Sequence, residues 1–372
     1  MNVREVVEAI EAIAPLDHAC DWDNVGLLIG SHDWSGSPVM LTIDLTEEVL
    51  REAIEAKVKM IIAYHPVIFE PFTRLTDATT RQRIVLEAAR AGISVHSPHT
   101  ALDAAPGGVN DWLAEGLGSG DTRALDVYES SPRTEERKIV TFCPVEAVDQ
   151  LRNSLAAVGA GRIGEYELCS FEIPGTGTFL GGENTDPAVG EKGTLQRVDE
   201  VRLEMVCPAD AVALAVMAVR EFHPYEEPPI EIYRLQPRPM RGVGIGRRIR
   251  LDQPASLKSL AQRIKSRLGV AHLRASVGRN APSRYSTIGL CPGAGVSVLD
   301  EAIRQGCELF LTGEMRHHDL LSAQARGCTV VLAGHTNTER GYLKILAKRL
   351  QQALPEVAFL ISEKDEDPLK AM

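Results

Sequence analysis

Short apolar runs that stop abruptly at a polar, ligand-type residue constrain this chain more than any other feature. Met60-Ile61-Ile62-Ala63-Tyr64-His65-Pro66 is the clearest of them. A run this short and this apolar reads as a buried strand. Pro66 ends the ladder and biases His65 away from helix, so the chain must turn there. His65 therefore stands at the carboxyl end of a strand, the side on which open α/β sheets bind ligands. The neighbouring sequence keeps the same rhythm: Met40 to Asp44 as strand, Thr46 to Lys57 as a helix capped by Thr46, Thr80 to Ala91 as helix, and Ile93 to His96 as strand. Strands alternating with helices imply crossover units and a largely parallel sheet.

Other strand ends carry similar chemistry. Ile93 to His96 runs into Ser97-Pro98-His99-Thr100-Ala101-Leu102-Asp103, ahead of a helix from Val109 to Leu117. Taken alone, His99 and Asp103 read as a turn histidine and a cap. In the last third, Gly242 to Leu251 and Tyr285 to Leu290 are strand-like, and Ser256 to Leu268 is a helix. The turn Cys291-Pro292-Gly293-Ala294-Gly295 feeds a further helix, an arrangement that can hold an anion but usually holds nothing. Leu309-Phe310-Leu311 leads to Gly313-Glu314-Met315-Arg316-His317-His318-Asp319. Cys328 to Leu332 ends at Ala333-Gly334-His335-Thr336-Asn337-Thr338-Glu339, followed by a helix from Thr338 to Leu354 and a charged tail read as solvated. Near the start, Trp22-Asp23-Asn24-Val25-Gly26 reads as a structural turn into a strand.

The middle of the chain has a different grammar. Asp121 to Arg137 is polar and charged and reads as a boundary, dividing the chain into 1–130, 131–240 and 241–372. Strands at Ile139 to Cys143, Tyr166 to Ile173, Arg197 to Val206 and Ile230 to Leu235, with helices at Val145 to Val158 and Ala209 to Phe222, give the order β-α-β-β-α-β of a ferredoxin-like α+β unit. Gly175 to Gly182 reads as a flexible loop, its glycines lacking the G-x-G-x-x-G spacing of a dinucleotide site. His223-Pro224-Tyr225-Glu226-Glu227-Pro228-Pro229 reads as a rigid connector or subunit contact.

His335 and Glu339 are four residues apart, so their side chains can share one helix face. Such a pair alone is common on surface helices. Here it recurs with His65, with His99 and Asp103, and with His317 and His318, all at carboxyl ends of strands on one side of the sheet. Mixed imidazole and carboxylate donors suit zinc, manganese, iron or nickel better than calcium or magnesium. Two such ions about 3.5–4 Å apart can activate a water and polarise a scissile bond.

Other chemistries are poorly supplied. There is no G-x-S-x-G elbow and no P-loop. The seven cysteines are scattered without a C-x-x-C pair, against a disulfide framework or a thiolate zinc site. A net charge of -11 makes nucleic acid an unlikely partner. No apolar run approaches membrane-spanning length, and Met1-Asn2-Val3-Arg4-Glu5 lacks a signal peptide's basic and apolar regions, so a cytoplasmic protein is expected.

Taken together, Trp22-Asp23-Asn24-Val25-Gly26-Leu27, Tyr64-His65-Pro66, His99 to Asp103, Gly313 to Asp319 and Gly334-His335 to Glu339 resemble the Nif-three-like family, the GTP cyclohydrolase I type 2 homologues. The resemblance covers nearly the whole chain and includes the middle segment, which is similar to the PII-like or CutA-like insert of many bacterial members. It implies one two-lobed metal-binding α/β domain interrupted by that insert, assembled as a toroidal homohexamer. It also implies two divalent metal ions held by His65, Asp103, His335 and Glu339, with His99 in or beside the shell. His317 and His318 would line the cavity. A water on the metal would be the nucleophile in hydrolysis of a nucleotide or other small phosphorylated compound. The alternative is a non-catalytic metal-binding regulatory protein whose insert senses a ligand or builds the oligomer. The chain departs from the family pattern at Tyr64, where many bacterial members carry a second histidine. A neutral phenol, with a pKa of about 10, is a poor ligand.

Overall fold

The computed structural model describes residues 1–369. They form two compact units, one of residues 1–128 with the chain from Met240 onward and one of residues 129–239.

The first unit is built on two mixed sheets rather than one. One sheet has the order Gly26–Ile29, Ser94–Ser97, Met60–Ala63, Val39–Thr42, Phe359–Ile361. Its pairings are parallel except for the antiparallel edge strand Gly26–Ile29. The other sheet has the order Arg274–Ser276, Thr329–Leu332, Leu309–Thr312, Tyr285–Cys291, Arg238–Ala255, Gly120–Ser130, with a parallel centre. The four-residue strands Val39–Thr42, Met60–Ala63, Leu309–Thr312 and Thr329–Leu332 are buried at every position, as strands covered on both faces must be.

A single core joins the two sheets: Leu41, Met60 and Ile62 from the first pack in the same cluster as Ile288, Leu309 and Val331 from the second. The helices Val3–Ile13 and Leu343–Ala353 supply Val6, Ile10, Leu346 and Leu350 to it. Helix starts follow the sequence signals. Asn2 forms a capping box with Glu5, and Thr46 and Ser256 accept from the N–H three residues on.

The second unit is a four-stranded sheet, order Phe171–Leu180, Leu195–Cys207, Arg137–Pro144, Ile230–Arg234, with every neighbouring pair antiparallel. Helices Val148–Ala157 and Val212–Phe222 bury Leu151, Leu155, Ala215 and Val219 against Ile139, Leu203 and Met205 of the sheet.

Four features differ from the sequence reading. Residues 121–130, read as boundary, lie in the strand Gly120–Ser130, which pairs at the edge of the second sheet. Gly175 to Leu180, read as flexible loop, is extended and paired residue for residue with Leu195 to Glu200. The long partner strand offers a continuous row of backbone groups there, and backbone pairing outweighs glycine's weak strand propensity. The helix read from Thr338 to Leu354 is broken into Asn337–Arg340 and Leu343–Ala353. A Cβ at the intervening Gly341 would lie 2.4 Å from the Trp112 ring, so glycine is required where that ring packs. The charged tail is anchored: Asp365 is buried, accepts the Ile43 N–H at 2.7 Å and pairs with Arg340 at 2.6 Å. No helix among the described residues is long and apolar enough to cross a membrane.

A candidate metal centre at the ends of two sheets

His65, His335 and Glu339 converge within the first unit. One ligand atom from each lies within 4.8 Å of the others. His65 follows the strand Met60–Ala63, and its main-chain N–H is tied to the Ile43 carbonyl at 3.0 Å, so the backbone fixes where the ring begins. His335 follows Thr329–Leu332 through Gly334, whose φ of +92° a side chain would resist. Glu339 lies in the short helix Asn337–Arg340 and is only 3% exposed. The site therefore draws on strand ends of two different sheets, which corrects the expectation of a single layer.

The geometry around Glu339 suits a cation. Its Oε2 stands 3.6 Å from His65 Nε2 and its Oε1 3.6 Å from His335 Nε2, both beyond hydrogen-bonding distance. Glu339 Oε2 is buried with no hydrogen-bond partner. A buried carboxylate oxygen that accepts no hydrogen bond is costly, and the two imidazoles offset its charge only when they are protonated. Donors held by bonds of about 2.0–2.1 Å in a tetrahedral shell lie about 3.3 Å from one another, close to the spacing seen. Backbone also makes room: a Cβ on Gly293, where φ is +58°, would lie 2.6 Å from Glu339 Oε1 and 3.0 Å from His335 Nε2.

Each imidazole turns its Nε2 inward because a carboxylate holds its Nδ1. His65 Nδ1 bonds Asp44 Oδ1 at 2.9 Å, and His335 Nδ1 bonds Glu314 Oε1 at 3.0 Å. Carboxylates behind ligating histidines fix tautomer and ring orientation. Burial disfavours a charged His65, but the Asp44 hydrogen bond and the adjoining Glu339 outweigh it and lift its pKa to about 10. Burial likewise opposes ionisation of Asp44, yet its bond to His65 holds it below the usual carboxylate range.

The remaining candidates stand apart from this triad. Asp103 is buried beside it, but its Oδ1 accepts the Tyr64 hydroxyl at 2.6 Å. Burial pushes its pKa up to about 7, against the lowering effect of the Tyr64 hydrogen bond. Tyr64 is itself buried, which drives its pKa well above 10 and keeps it a neutral phenol. His99 packs edge-on against the His65 ring at a centroid distance of 5.4 Å, with its Nδ1 on Asp23 Oδ1 at 2.8 Å. Its φ of +23° shows a backbone held in place by its surroundings. His317 and His318 open the helix His317–Ala325, are exposed, and face each other at 5.6 Å without joining the triad.

Asp44, Glu314 and Asp23 were not singled out from sequence. Asp44 lies just beyond the neighbouring strand Val39–Thr42, Glu314 sits in the Gly313 to Asp319 stretch, and Asp23 in the Trp22 turn. A search for carboxylates at strand ends would have found Asp44. Asp23 accepts from His99 and from the Thr100 N–H and hydroxyl, so its turn is pinned to the site.

Residues 1–368 match Duf34/NIF3 (NGG1p interacting factor 3). NIF3-like protein 1 of Homo sapiens is 35% identical, covering 100% of this chain and 93% of that protein. The GTP cyclohydrolase 1 type 2 homolog of Bacillus subtilis is 33% identical, covering 99% and 98%. Among solved structures, a Bacillus cereus protein related to NIF3 is 31% identical with a TM-score of 0.68, and Staphylococcus aureus protein SA1388 is 27% identical with a TM-score of 0.78. Each covers 100% of this chain and 99% of its own. A family match over residues 1–368, with relatives 33% and 35% identical over nearly the whole chain, makes this protein a member of the Duf34/NIF3 family.

Proposed function

We propose that the protein is a metal-dependent hydrolase whose substrate is a nucleotide or another small phosphorylated compound. The observation that carries this reading is the buried, unpartnered Glu339 Oε2 set between the inward-facing nitrogens of His65 and His335. These three residues would hold the first divalent ion. Asp103 is the carboxylate for a second, which must compete with the Tyr64 hydroxyl for it. A bound divalent ion of this kind supplies Lewis acidity and acidifies water at neutral pH.

The chain's own residues prepare the site. Asp44 and Glu314 keep the two imidazoles oriented, and burial, which lifts the pKa of Asp103 to about 7, means that Asp103 must give up its proton to accept a second ion. Relatives named GTP cyclohydrolase 1 type 2 homolog support the choice of substrate class. We further propose a cytoplasmic, toroidal homohexamer, with residues 129–239 as a ferredoxin-like, PII-like insert. The β-α-β-β-α-β order and the strand order of that unit support the insert's assignment.

The test is turnover of a panel of nucleotides and phosphoesters with added manganese or zinc, run beside a His335→Ala variant. Metal-dependent turnover that the variant loses supports the hydrolase. Stoichiometric metal with no turnover across the panel favours the non-catalytic, ligand-sensing alternative.

A further inference from the structure

The two stretches that the metal chemistry leaves unused, Gly175 to Gly182 and His223 to Pro229, meet within residues 129–239 at a cleft of about 580 Å³. That is the size of a small-molecule site. Its walls are aromatic. The rings of Phe179 and Tyr225 stand 6.4 Å apart, His223 backs Tyr225 at 4.9 Å, and Phe142 completes the lining. Phe142, Phe179 and Tyr225 are all half-buried.

The charge in this cleft has one sign. Glu200, Glu226, Glu227 and Asp186 line it, and no lysine or arginine does among the described residues. Glu200 is fixed in place: its Oε1 accepts the Tyr225 hydroxyl at 2.7 Å. Its other oxygen lies over Gly177, where a Cβ would come within 2.1 Å of it, so glycine is what leaves room for the carboxylate. The neighbouring imidazole offers no compensating charge. His223 Nε2–H donates to the Phe142 carbonyl at 2.9 Å while Nδ1 accepts the Tyr225 N–H at 3.0 Å, a pattern that only the neutral ring can make. Arg202 lies 5.2 Å from the centroid of the Phe142 ring but is held by Glu204 and Glu231 and does not line the cleft.

We propose that this cleft binds a small organic ammonium ion bearing an apolar or aromatic body, with Phe142, Phe179 and Tyr225 packing the body and Glu200 pairing the charge. Aromatic faces attract cations, and a neighbouring carboxylate adds to that attraction. Anionic ligands, phosphates included, would meet uncompensated glutamates. A bare divalent ion is less suited, because among the described residues no three carboxylates of the cleft bring ligand atoms within 4.8 Å of one another. The inference is independent of the metal centre and adds a second ligand site to the protein.

The experiment titrates the full-length, metal-loaded protein with phenethylammonium, and in parallel with its neutral and anionic counterparts, phenethyl alcohol and 3-phenylpropionate. Binding is followed by ligand-observed saturation-transfer NMR. Saturable binding of the ammonium with a Kd on the order of 1 mM is expected, at least about tenfold tighter than either counterpart. Glu200→Gln should weaken it about tenfold, and because the amide oxygen still accepts the Tyr225 hydroxyl, the fold is retained. Tyr225→Phe keeps the ring but frees the carboxylate, and should weaken binding less than Glu200→Gln. Equal binding of 3-phenylpropionate, an affinity unchanged in Glu200→Gln, or no saturation with the ammonium would overturn the proposal.

Discussion

The Tyr64 hydroxyl lies 2.6 Å from Asp103 Oδ1, so the carboxylate proposed for a second ion is already engaged by a buried phenol. A hydrogen bond to a charged group contributes about 1.5–3 kcal/mol. A second ion that binds Asp103 through Oδ1 would have to break this bond, and in that case the two metal equivalents should bind unequally. Tyr64→Phe should tighten the second equivalent by about 10–100-fold, leaving the first unchanged. Tyr64→His, which adds an imidazole beside Asp103, should do the same. Equilibrium dialysis against manganese or zinc reads both steps. A second-step affinity identical in wild type and Tyr64→Phe would show that the phenol does not compete.

Asp44 and Glu314 act through the histidines they hold. Removing either charge by Asp44→Asn or Glu314→Gln should cost about 10–100-fold in metal affinity; Glu314→Gln should leave thermal stability of the metal-free protein nearly unaltered, whereas Asp44→Asn should lower it at neutral pH, because Asp44 pairs with the His65 imidazolium there. Competition with a chromophoric chelator measures the first, and a melting curve in excess chelator the second. A loss of fold in place of a loss of affinity would assign these carboxylates a structural role.

Metal uptake should depend on pH through His65. Its pKa of about 10 in the metal-free protein means that it is an imidazolium at neutral pH and must lose a proton to ligate. Affinity should therefore rise about tenfold per pH unit between about pH 6 and 8 from this residue alone. The linkage has the opposite sign for stability. A pKa raised above the unfolded value of 6.5 stabilises the metal-free protein fully below pH 6.5, and that contribution is lost as pH rises through about 10. Calorimetric titration in buffers of differing ionisation enthalpy reports the released proton.

Arg247 is a structural keystone outside the site chemistry. It is 1% exposed, and it donates to the Gly244 and Gly246 carbonyls at 2.7 and 2.9 Å, to the Ala104 and Ala105 carbonyls at 3.3 Å, and to Asp111. It thereby ties the turn that follows Asp103 to the second sheet. Arg247→Ala leaves those acceptors unsatisfied and should destabilise the protein by about 3–5 kcal/mol, measured by urea unfolding. A change below about 1 kcal/mol would mean that water replaces the guanidinium.

Much of this was legible in the sequence, for reasons that can be stated residue by residue. Short apolar runs ending at Pro66 and Gly334 announced where His65 and His335 would stand, because proline and positive-φ glycine stop strands. The i,i+4 spacing placed Glu339 beside His335. What the sequence did not disclose is set by long-range packing. Residues 60–63 and 329–332 belong to different sheets, and nothing local distinguishes that from one sheet. Asp44 and Glu314 became partners of the histidines only through tertiary contact. The extended Gly175 to Leu180 escaped notice because its pairing is dictated by the strand opposite, not by its own residues.

The central claim is that His65, His335 and Glu339 together hold a divalent metal ion. Elemental analysis of the purified protein and of a Glu339→Gln variant, both exchanged into metal-free buffer after incubation with zinc or manganese, tests it most directly. At least one ion per chain should remain in the wild type and essentially none in the variant, with both proteins folded by circular dichroism. Equal metal content in the two would contradict the assignment of the site.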